Sequence, residues 1–164
     1  MAYQTRGRDP LFDRDMAQAI EKRGRELLGL GLIVIGCLIG ALIYSYHPDD
    51  PSFVSATDAP VQNWLGRTGA ALSAPIAMIV GWGGWGLALG AIAWGARFAL
   101  HKGAERAIGR LIWMPIWIAL ISGDAATLTP NAGWTHSFSM GGMFGDMVLG
   151  LMLTILPIPA GMGV

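Results

Sequence analysis

Charged residues are scarce in this chain of 164 residues. They make up 13% of it, against about 25% in a typical soluble domain. The 11 basic and 11 acidic residues cancel, so the chain has no positive net charge with which to bind nucleic acid by bulk electrostatics. A single cysteine, Cys37, excludes an intrachain disulfide and a cysteine metal cluster. Because 53% of the residues are hydrophobic, the chain is too apolar to be disordered, and a small integral membrane protein is the class that remains.

Motifs for nucleotide and metal chemistry are also missing. The P-loop pattern G-x-x-x-x-G-K-[ST] does not occur. Residues 81–86 match G-x-G-x-x-G, but they lie in a long uncharged run rather than in the βαβ unit that a dinucleotide site needs. His47 lies beside Asp49 and Asp50, an arrangement more typical of an exposed turn than of a metal site. We therefore expect no catalytic, cofactor or metal site in this chain.

Long uncharged runs divide the chain into apolar segments. A helix needs about 20 mostly apolar residues to cross the hydrocarbon core, where lipid offers the backbone no hydrogen-bond partner. The spacing predicts an all-α integral membrane protein whose transmembrane domain covers 27–164. Its four predicted transmembrane helices cover about 27–46, 70–96, 111–128 and 141–164.

Asp124 and Asp146 are the only acidic residues near membrane depth. An acidic residue inside a membrane suggests a functional site such as a proton relay. Both residues fall at predicted helix ends that water reaches, and a carboxylate near a helix N-terminus, as at Asp146, complements the helix dipole. We favour a structural role for both.

The distribution of Lys and Arg predicts the orientation in the membrane. Ten of the eleven basic residues fall on one side of the predicted spans, and only Arg67 falls on the other. Basic residues accumulate on the cytoplasmic side of membrane proteins. We therefore expect both termini to be cytoplasmic.

The N-terminal segment, 1–26, is predicted to be cytoplasmic. Within it, 13–26 is compatible with an amphipathic helix at the membrane surface, with Met16, Ile20 and Leu27 on one side. A charged lead-in to the first span is the alternative.

Three G-x-x-x-G pairs place two glycines on one helix face, one turn apart. Such pairs allow helix backbones to approach closely in lipid. We favour packing within the four-helix bundle, and an interface with another protein is the alternative. The pairs are Gly36 and Gly40, Gly86 and Gly90, and Gly141 and Gly145.

The loop between the first two predicted spans carries the most specific motif. It reads Ser-Tyr-His-Pro-Asp-Asp-Pro-Ser-Phe over 45–53, then Asn-Trp-Leu-Gly over 63–66 and Gly-Ala over 69–70. The prolines restrict the backbone, and Asp49 or Asp50 can accept hydrogen bonds from following amides. We expect a fixed turn just outside the membrane and a site for interaction with partners. Its candidate residues are Tyr46, Pro48, Asp49, Asp50, Pro51, Asn63, Trp64 and Gly66.

The motif in this loop resembles that of the N-terminal membrane domain of the FtsK/SpoIIIE family of DNA translocases. The resemblance extends over most of 14–164. It implies a membrane anchor in the bacterial inner membrane, at the division septum, that contacts lipids and other division proteins. In that family a cytoplasmic motor pumps DNA. ATP, Mg²⁺ and homo-oligomer formation are therefore expected only for a motor beyond residue 164, and no nucleic acid is expected on this segment.

The sequence leaves several alternatives open. The chain is either a fragment of a translocase or a stand-alone protein that keeps only the anchor. The alternative function is that of a small accessory subunit of a larger photosynthetic or respiratory membrane complex. A transporter or channel is less favoured, since polar groups are missing from the predicted mid-membrane positions.

Overall fold

A computed structural model describes residues 14–101, 109, 112–130 and 134–156. All regular structure within these residues is helical, so the predicted all-α class is confirmed for them. The α-helices are α1 (Arg14–Tyr44), α2 (Gly66–Val80), α3 (Gly84–Ala99), α4 (Trp113–Ala126) and α5 (Gly142–Ile155), and a 3₁₀ turn, Gly81–Gly83, joins α2 to α3.

Helix α1 includes the charged lead-in as well as the first predicted span. Its 31 residues extend about 46 Å at about 1.5 Å per residue, longer than a hydrocarbon core of about 30 Å. The segment 14–26 continues into 27–44 without a break, so a separate surface helix is not observed there. Met16, Ile20 and Leu27 are all exposed. Residues 1–13 lie outside the described part of the chain.

Helices α1 and α3 pack antiparallel along small residues. A β carbon on Gly29 would lie 2.6 Å from the carbonyl oxygen of Gly95, and one on Gly36 would lie 2.6 Å from Cγ1 of Ile92 and 2.8 Å from the carbonyl oxygen of Ala88. Contacts this close leave no space for a side chain on either glycine. Close backbone approach of this kind holds membrane helices together where lipid removes the hydrophobic force between them.

The second predicted span, 70–96, is divided in the structure by a break at Gly81. Gly81 has φ of 52°, a conformation that residues with a side chain rarely adopt. Together, α2, the turn and α3 contain 34 residues. As one continuous helix they would extend about 51 Å, which exceeds a hydrocarbon core of about 30 Å. The structure therefore has two shorter helices where the sequence predicts one span.

The break brings both α2 and the start of α3 to the last turn of α1. A β carbon on Gly84 would lie 3.0 Å from Cδ1 of Ile43. In α2, the hydroxyl of Ser73 accepts a hydrogen bond from the side-chain amide of Asn63. The same amide donates to the carbonyl oxygen of Leu42, in the last turn of α1. Helix α2 therefore lies against the C-terminal end of α1 instead of continuing the line of α3.

Helices α4 and α5 pack around Ser122, which is fully buried. Its hydroxyl donates a 2.9 Å hydrogen bond to the carbonyl oxygen of Val80, the last residue before the break. The backbone N–H of Trp82 donates to the carbonyl oxygen of Met140 at 2.9 Å. These bonds connect the end of α2 to α4, and the 3₁₀ turn to Met140, two residues before α5.

Helices α4 and α5 are short, at 14 residues each, or about 21 Å. Among the described residues, the helical stretches that are long and apolar enough to cross a membrane are Asp15–Tyr44 and Gly66–Ala99. The predicted spans 111–128 and 141–164 contain α4 and α5, and 157–164 lie outside the described residues.

Small residues dominate the buried apolar positions, and many large apolar side chains face outward. Among the described residues, Leu30, Val34 and Ile35 of α1 are each at least half exposed. This distribution suits a surrounding of lipid, which is as apolar as these side chains. The buried apolar residues are Leu42, Ala70, Ala74, Ala77, Ala88, Ala125 and Met140.

Candidate functional site

Asp50 closes the first loop, 45–65, on itself. The loop begins with a turn in which the N–H of Asp50 donates to the carbonyl oxygen of His47 at 3.2 Å, with Pro48 in its second position. The Asp50 side chain is 3% exposed, and its two carboxylate oxygens accept the backbone N–H groups of Gln62 at 2.8 Å and Asn63 at 2.9 Å. Hydrogen bonds to a carboxylate are among the stronger ones in proteins. Asp50 therefore joins the two ends of the loop.

Asn63 connects the loop to α1. Its side chain is 5% exposed, and its amide nitrogen donates to the carbonyl oxygens of Leu42 at 3.0 Å and Ser45 at 3.3 Å. Carbonyl groups at a helix C-terminus have no partner within the helix, so this side chain satisfies groups that α1 leaves open. Its amide oxygen accepts the N–H of Leu65 at 3.0 Å. We call the linked side chains of Asp50 and Asn63 the loop clasp.

Ser45 and Trp64 add a second connection between the loop and α1. The Ser45 hydroxyl donates to the carbonyl oxygen of Ala41 at 2.7 Å and accepts the N–H of Trp64 at 3.1 Å. The Trp64 ring is 70% exposed and packs on Tyr44 with ring centroids 5.2 Å apart. Paired Trp and Tyr rings are typical of the membrane–water interface.

Two glycines allow α2 to begin directly after the loop clasp. Gly66 has φ of 65°, and its N–H donates to the carbonyl oxygen of Asn63 at 2.9 Å. A β carbon on Gly69 would lie 2.9 Å from Cγ of Asn63 and 2.6 Å from Cβ of Leu65. The spacing Asn-x-x-Gly-x-x-Gly therefore places one glycine at the turn and the other against the Asn63 side chain.

An aromatic stack joins the first loop to the segment that precedes α5. The Tyr46 hydroxyl lies 2.5 Å from Nε2 of His136, and the two rings are stacked with centroids 5.8 Å apart. His136 stacks in turn on Phe138 with centroids 4.6 Å apart. Trp134 meets both His136 and Phe138 edge-on, and its indole N–H donates to the carbonyl oxygen of Phe138 at 2.7 Å. We call Tyr46, His136 and Phe138 the aromatic stack.

The surroundings shift the proton affinities of this stack in opposite directions. Burial, and secondarily the carboxylates of Asp50 and Asp49, raise the pKa of Tyr46 to about 12. Burial lowers the pKa of His136 from its ordinary 6.5, and the Asp49 carboxylate opposes that shift. Both shifts favour the neutral rings, so a neutral phenol faces a neutral imidazole at neutral pH.

The remaining residues predicted for the loop are less tightly bound. Asp49 is exposed, with Oδ2 3.8 Å from Nδ1 of His47. Pro51 follows the turn and is partly exposed. We expected Asp49 or Asp50 to accept amides that follow them. Asp50 accepts two, which are 12 and 13 residues further along the chain.

The glycine pairs face neighbouring helices of the same chain. Gly36 and Gly40 lie against α3, where a β carbon on Gly40 would be 3.6 Å from the Trp85 ring. Gly86 and Gly90 lie against Ile118 and Met114 of α4, and Gly141 and Gly145 lie against Ser122 and Ala126 of the same helix.

Asp124 and Asp146 are both exposed. A carboxylate oxygen of Asp146 accepts the N–H of Ser139 at 3.4 Å, just before α5 begins. The structure does not bring the two carboxylates into a common cluster with the loop clasp. Within the described ranges, no group of three or more His, Cys, Asp or Glu side chains is placed to hold a metal ion.

Several contributors to this site were not selected from the sequence. They are Ser73, which lies 10 residues from Asn63, and His136, which lies 90 residues from Tyr46 and stacks on Phe138. In the sequence, only the mixture of aromatic and polar residues in 134–139 indicates that this segment packs against other parts of the chain.

Known proteins resemble the chain over most of its length. The 4TM region of DNA translocase FtsK/SpoIIIE matches residues 21–163. The DNA translocase FtsK of Bradyrhizobium diazoefficiens is 34% identical over 135 residues, 80% of this chain and 16% of that protein. That of Azospirillum brasilense is 30% identical over 145 residues, 85% of this chain and 22% of that protein.

The chain thus spans less than a quarter of the length of these relatives. No solved structure matches it. The resemblance that the first-loop motif indicated is confirmed over almost the whole chain. The chain belongs to the family formed by the four-transmembrane region of the FtsK/SpoIIIE DNA translocases.

Proposed function

We propose that this chain is the membrane anchor and protein-interaction domain of a DNA translocase that acts in cell division and chromosome segregation. The observation that carries the proposal is the family match over residues 21–163. The chain itself contributes no chemistry: it positions a motor that lies elsewhere, and ATP and Mg²⁺ belong to that motor. Its own partners are membrane lipids and other membrane proteins of the division machinery, with no nucleic acid bound by this segment.

The proposed arrangement is four spans in the bacterial inner membrane, with both termini in the cytoplasm. The imbalance of basic residues supports it, since Arg67 is the only one of eleven on the side of the first loop. The first loop and the aromatic stack then face the periplasm. Arg67 lies one residue after the start of α2, on that same side.

The loop clasp gives this periplasmic face a defined shape. Asp50 and Asn63 bind backbone groups on both sides of the loop and at the end of α1, so the loop cannot move independently of the bundle without breaking these bonds. A preformed surface loses less entropy on binding than a flexible one. We propose this loop, and the helix faces beside it, as the contact surface for division partners.

Cysteine labelling tests the topology. In a Cys37→Ser background, single cysteines replace Ser52 and Thr127 on the proposed periplasmic side and Lys22 and Leu100 on the cytoplasmic side. A membrane-impermeant maleimide should label the first two in intact cells and the second two only after permeabilisation. The opposite pattern, or labelling of Ser52→Cys and Thr127→Cys on different sides, contradicts the proposed arrangement.

Localisation in dividing cells tests the function. The chain fused to a fluorescent protein should concentrate at the septum of a host that carries a related translocase. An Asp50→Ala fusion should lose the enrichment while remaining in the membrane, and an Asp58→Ala fusion should keep it. Uniform fluorescence of the unmodified fusion around the membrane would contradict a role at the septum.

A further inference from the structure

A cavity of about 310 Å³ lies between the first loop, α2 and the segment 135–138. The aromatic stack forms one side of it, and Asp49 and Val54 of the first loop form another. The Asp49 side chain is 77% exposed, so its carboxylate is open to solvent at this cavity. The loop clasp does not use this carboxylate.

The chemistry of the cavity suits a cation. Its lining combines aromatic rings with a carboxylate, which together bind guanidinium and ammonium groups. Within the described residues, the closest cationic partner of Asp49 is His47, at 3.8 Å and charged only when protonated. The sequence contains no Lys or Arg in 45–66 or in 127–140. Arg67, the basic residue that the proposed orientation places on this side, forms no salt bridge with Asp49 among the described residues, so the exposed carboxylate is open to a basic group from another molecule.

An exposed apolar turn lies next to the cavity. Phe53 is 85% exposed and Val54 is 54% exposed. The Ser52 hydroxyl accepts the N–H groups of Val54 at 3.3 Å and Ser55 at 3.1 Å, and the Ser52 N–H donates to the carbonyl oxygen of Ser55 at 3.0 Å. Three hydrogen bonds therefore fix a turn that exposes two apolar side chains beside an acidic cavity.

We infer that this cavity receives an arginine or lysine side chain from a partner protein, whose neighbouring apolar residue packs on Phe53 and Val54. A peptide segment supplies a cation and an adjacent apolar group together, whereas a lipid amine headgroup supplies only the cation on the aqueous side. The inference rests on the proposed function, because it gives the chemistry of the partner that the first loop recruits.

Peptide binding to the whole purified chain tests the inference. The chain is placed in micelles of dodecyl maltoside, a detergent whose headgroup carries no amine and no charge. The probes are two fluorescent peptides that alternate leucine with either arginine or citrulline, since citrulline keeps the shape of arginine without its charge. Fluorescence anisotropy, corrected with empty micelles, should show at least ten-fold tighter binding of the arginine peptide.

Four variants locate the binding. Asp49→Asn should reduce the preference for arginine to about one-fold, and Asp58→Asn, an exposed acid of the same loop, should leave it unchanged. Phe53→Ser should weaken the binding of both peptides equally and leave the ratio of their affinities unchanged. An unchanged ratio in Asp49→Asn, or an equal loss in Asp58→Asn, overturns the inference. Asp49→Lys keeps the test independent of a folding defect, because it should prefer a glutamate version of the peptide.

A second experiment distinguishes a cation of a peptide side chain from a cation of a lipid headgroup. Adding phosphatidylethanolamine or phosphatidylcholine to the micelles supplies primary or quaternary ammonium headgroups. We expect the affinity for the arginine peptide to stay within two-fold, and a ten-fold loss would assign the cavity to lipid instead and overturn the inference. The assay needs no septum, so a chain that binds the peptide but fails to localise contradicts only the proposed function.

Discussion

The carboxylate of Asp50 accepts the backbone N–H of Asn63 at 2.9 Å, and the side chain of Asn63 donates to the carbonyl oxygen of Leu42 at 3.0 Å. These two bonds connect the loop to the end of α1 through nearly solvent-free contacts, since both side chains are at most 5% exposed. A buried polar group costs free energy unless its partners are present. The two residues therefore depend on each other, and the shape of the loop depends on both.

Asp50→Ala should destabilise the protein more than other changes of acid in the loop. The substitution removes two hydrogen bonds to a carboxylate and leaves two backbone N–H groups without partners, one of them buried. We expect the free energy of unfolding to fall by about 2–4 kcal/mol. Unfolding in mixed micelles by titration with dodecyl sulfate, followed by circular dichroism, measures it. Asp58→Ala, at an exposed position, should change it by less than about 0.5 kcal/mol, and equal effects of the two variants would contradict this account.

Asn63→Asp should destabilise the protein at least as much as Asp50→Ala, although it only replaces the side-chain NH₂ group by an oxygen. The substitution removes the donor to Leu42 and Ser45 and places a carboxylate next to their carbonyl oxygens and next to Asp50. We expect the free energy of unfolding to fall by about 3 kcal/mol or more at neutral pH, since the buried charge keeps only the N–H of Leu65 as a donor and two carbonyl oxygens lose theirs.

The same change one position earlier is a matched control. The Gln62 side chain is exposed, and its backbone N–H keeps the bond to Asp50 in Gln62→Glu. The free energy of unfolding of that variant should lie within about 0.5 kcal/mol of the value for the unmodified protein. A comparable loss in both variants would show that charge in the loop, and not the position of Asn63, decides stability.

Gly36→Ala should weaken the packing of α1 on α3. The new methyl group would lie 2.6 Å from Cγ1 of Ile92 and 2.8 Å from the carbonyl oxygen of Ala88, so the helices must separate. Overpacking of this kind costs about 1–3 kcal/mol. Gly31→Ala on the same helix meets nothing within 4 Å and should be neutral or stabilising by up to about 1 kcal/mol. The same unfolding measurement compares them, and equal effects would argue against close packing at Gly36.

The sequence predicted local features better than long-range partners. The 3.6-residue period of a helix places Gly36 and Gly40 on one face, but it does not say that this face meets α3 rather than another helix. The motif in the first loop marked Asp50 and Asn63, yet their partnership spans 13 residues and depends on how the loop closes.

The division of the second span had no signal in its hydropathy. The residues around Gly81 are as apolar and uncharged as the rest of the run, and a positive φ is one of several roles that a glycine in Gly-Trp-Gly-Gly can have. The contact between Tyr46 and His136 joins residues 90 positions apart. A single sequence contains no information that pairs such residues, because their contact results from the packing of whole helices.

Acid should loosen the aromatic stack through His136. Burial lowers the pKa of His136 below 6.5 in the folded protein, so the unfolded chain binds the proton first as the pH falls. Stability from this residue is therefore complete above about pH 6.5 and declines as the pH falls below it. The groups that face the imidazole are Tyr46, with its pKa raised to about 12 and therefore neutral in this range, and Asp49, which opposes the shift.

His136→Phe isolates this effect from the other histidines. Phenylalanine keeps the stacking on Phe138 but has no proton to bind. The free energy of unfolding, measured between pH 8 and pH 5, should fall more steeply with acid in the unmodified protein than in this variant. Tyr46→Phe, which removes the hydroxyl bonded to His136, should keep an acid dependence, because the imidazole is still there to titrate. Parallel curves for the unmodified protein and His136→Phe would mean that other groups cause the acid dependence and that the stack does not respond to pH.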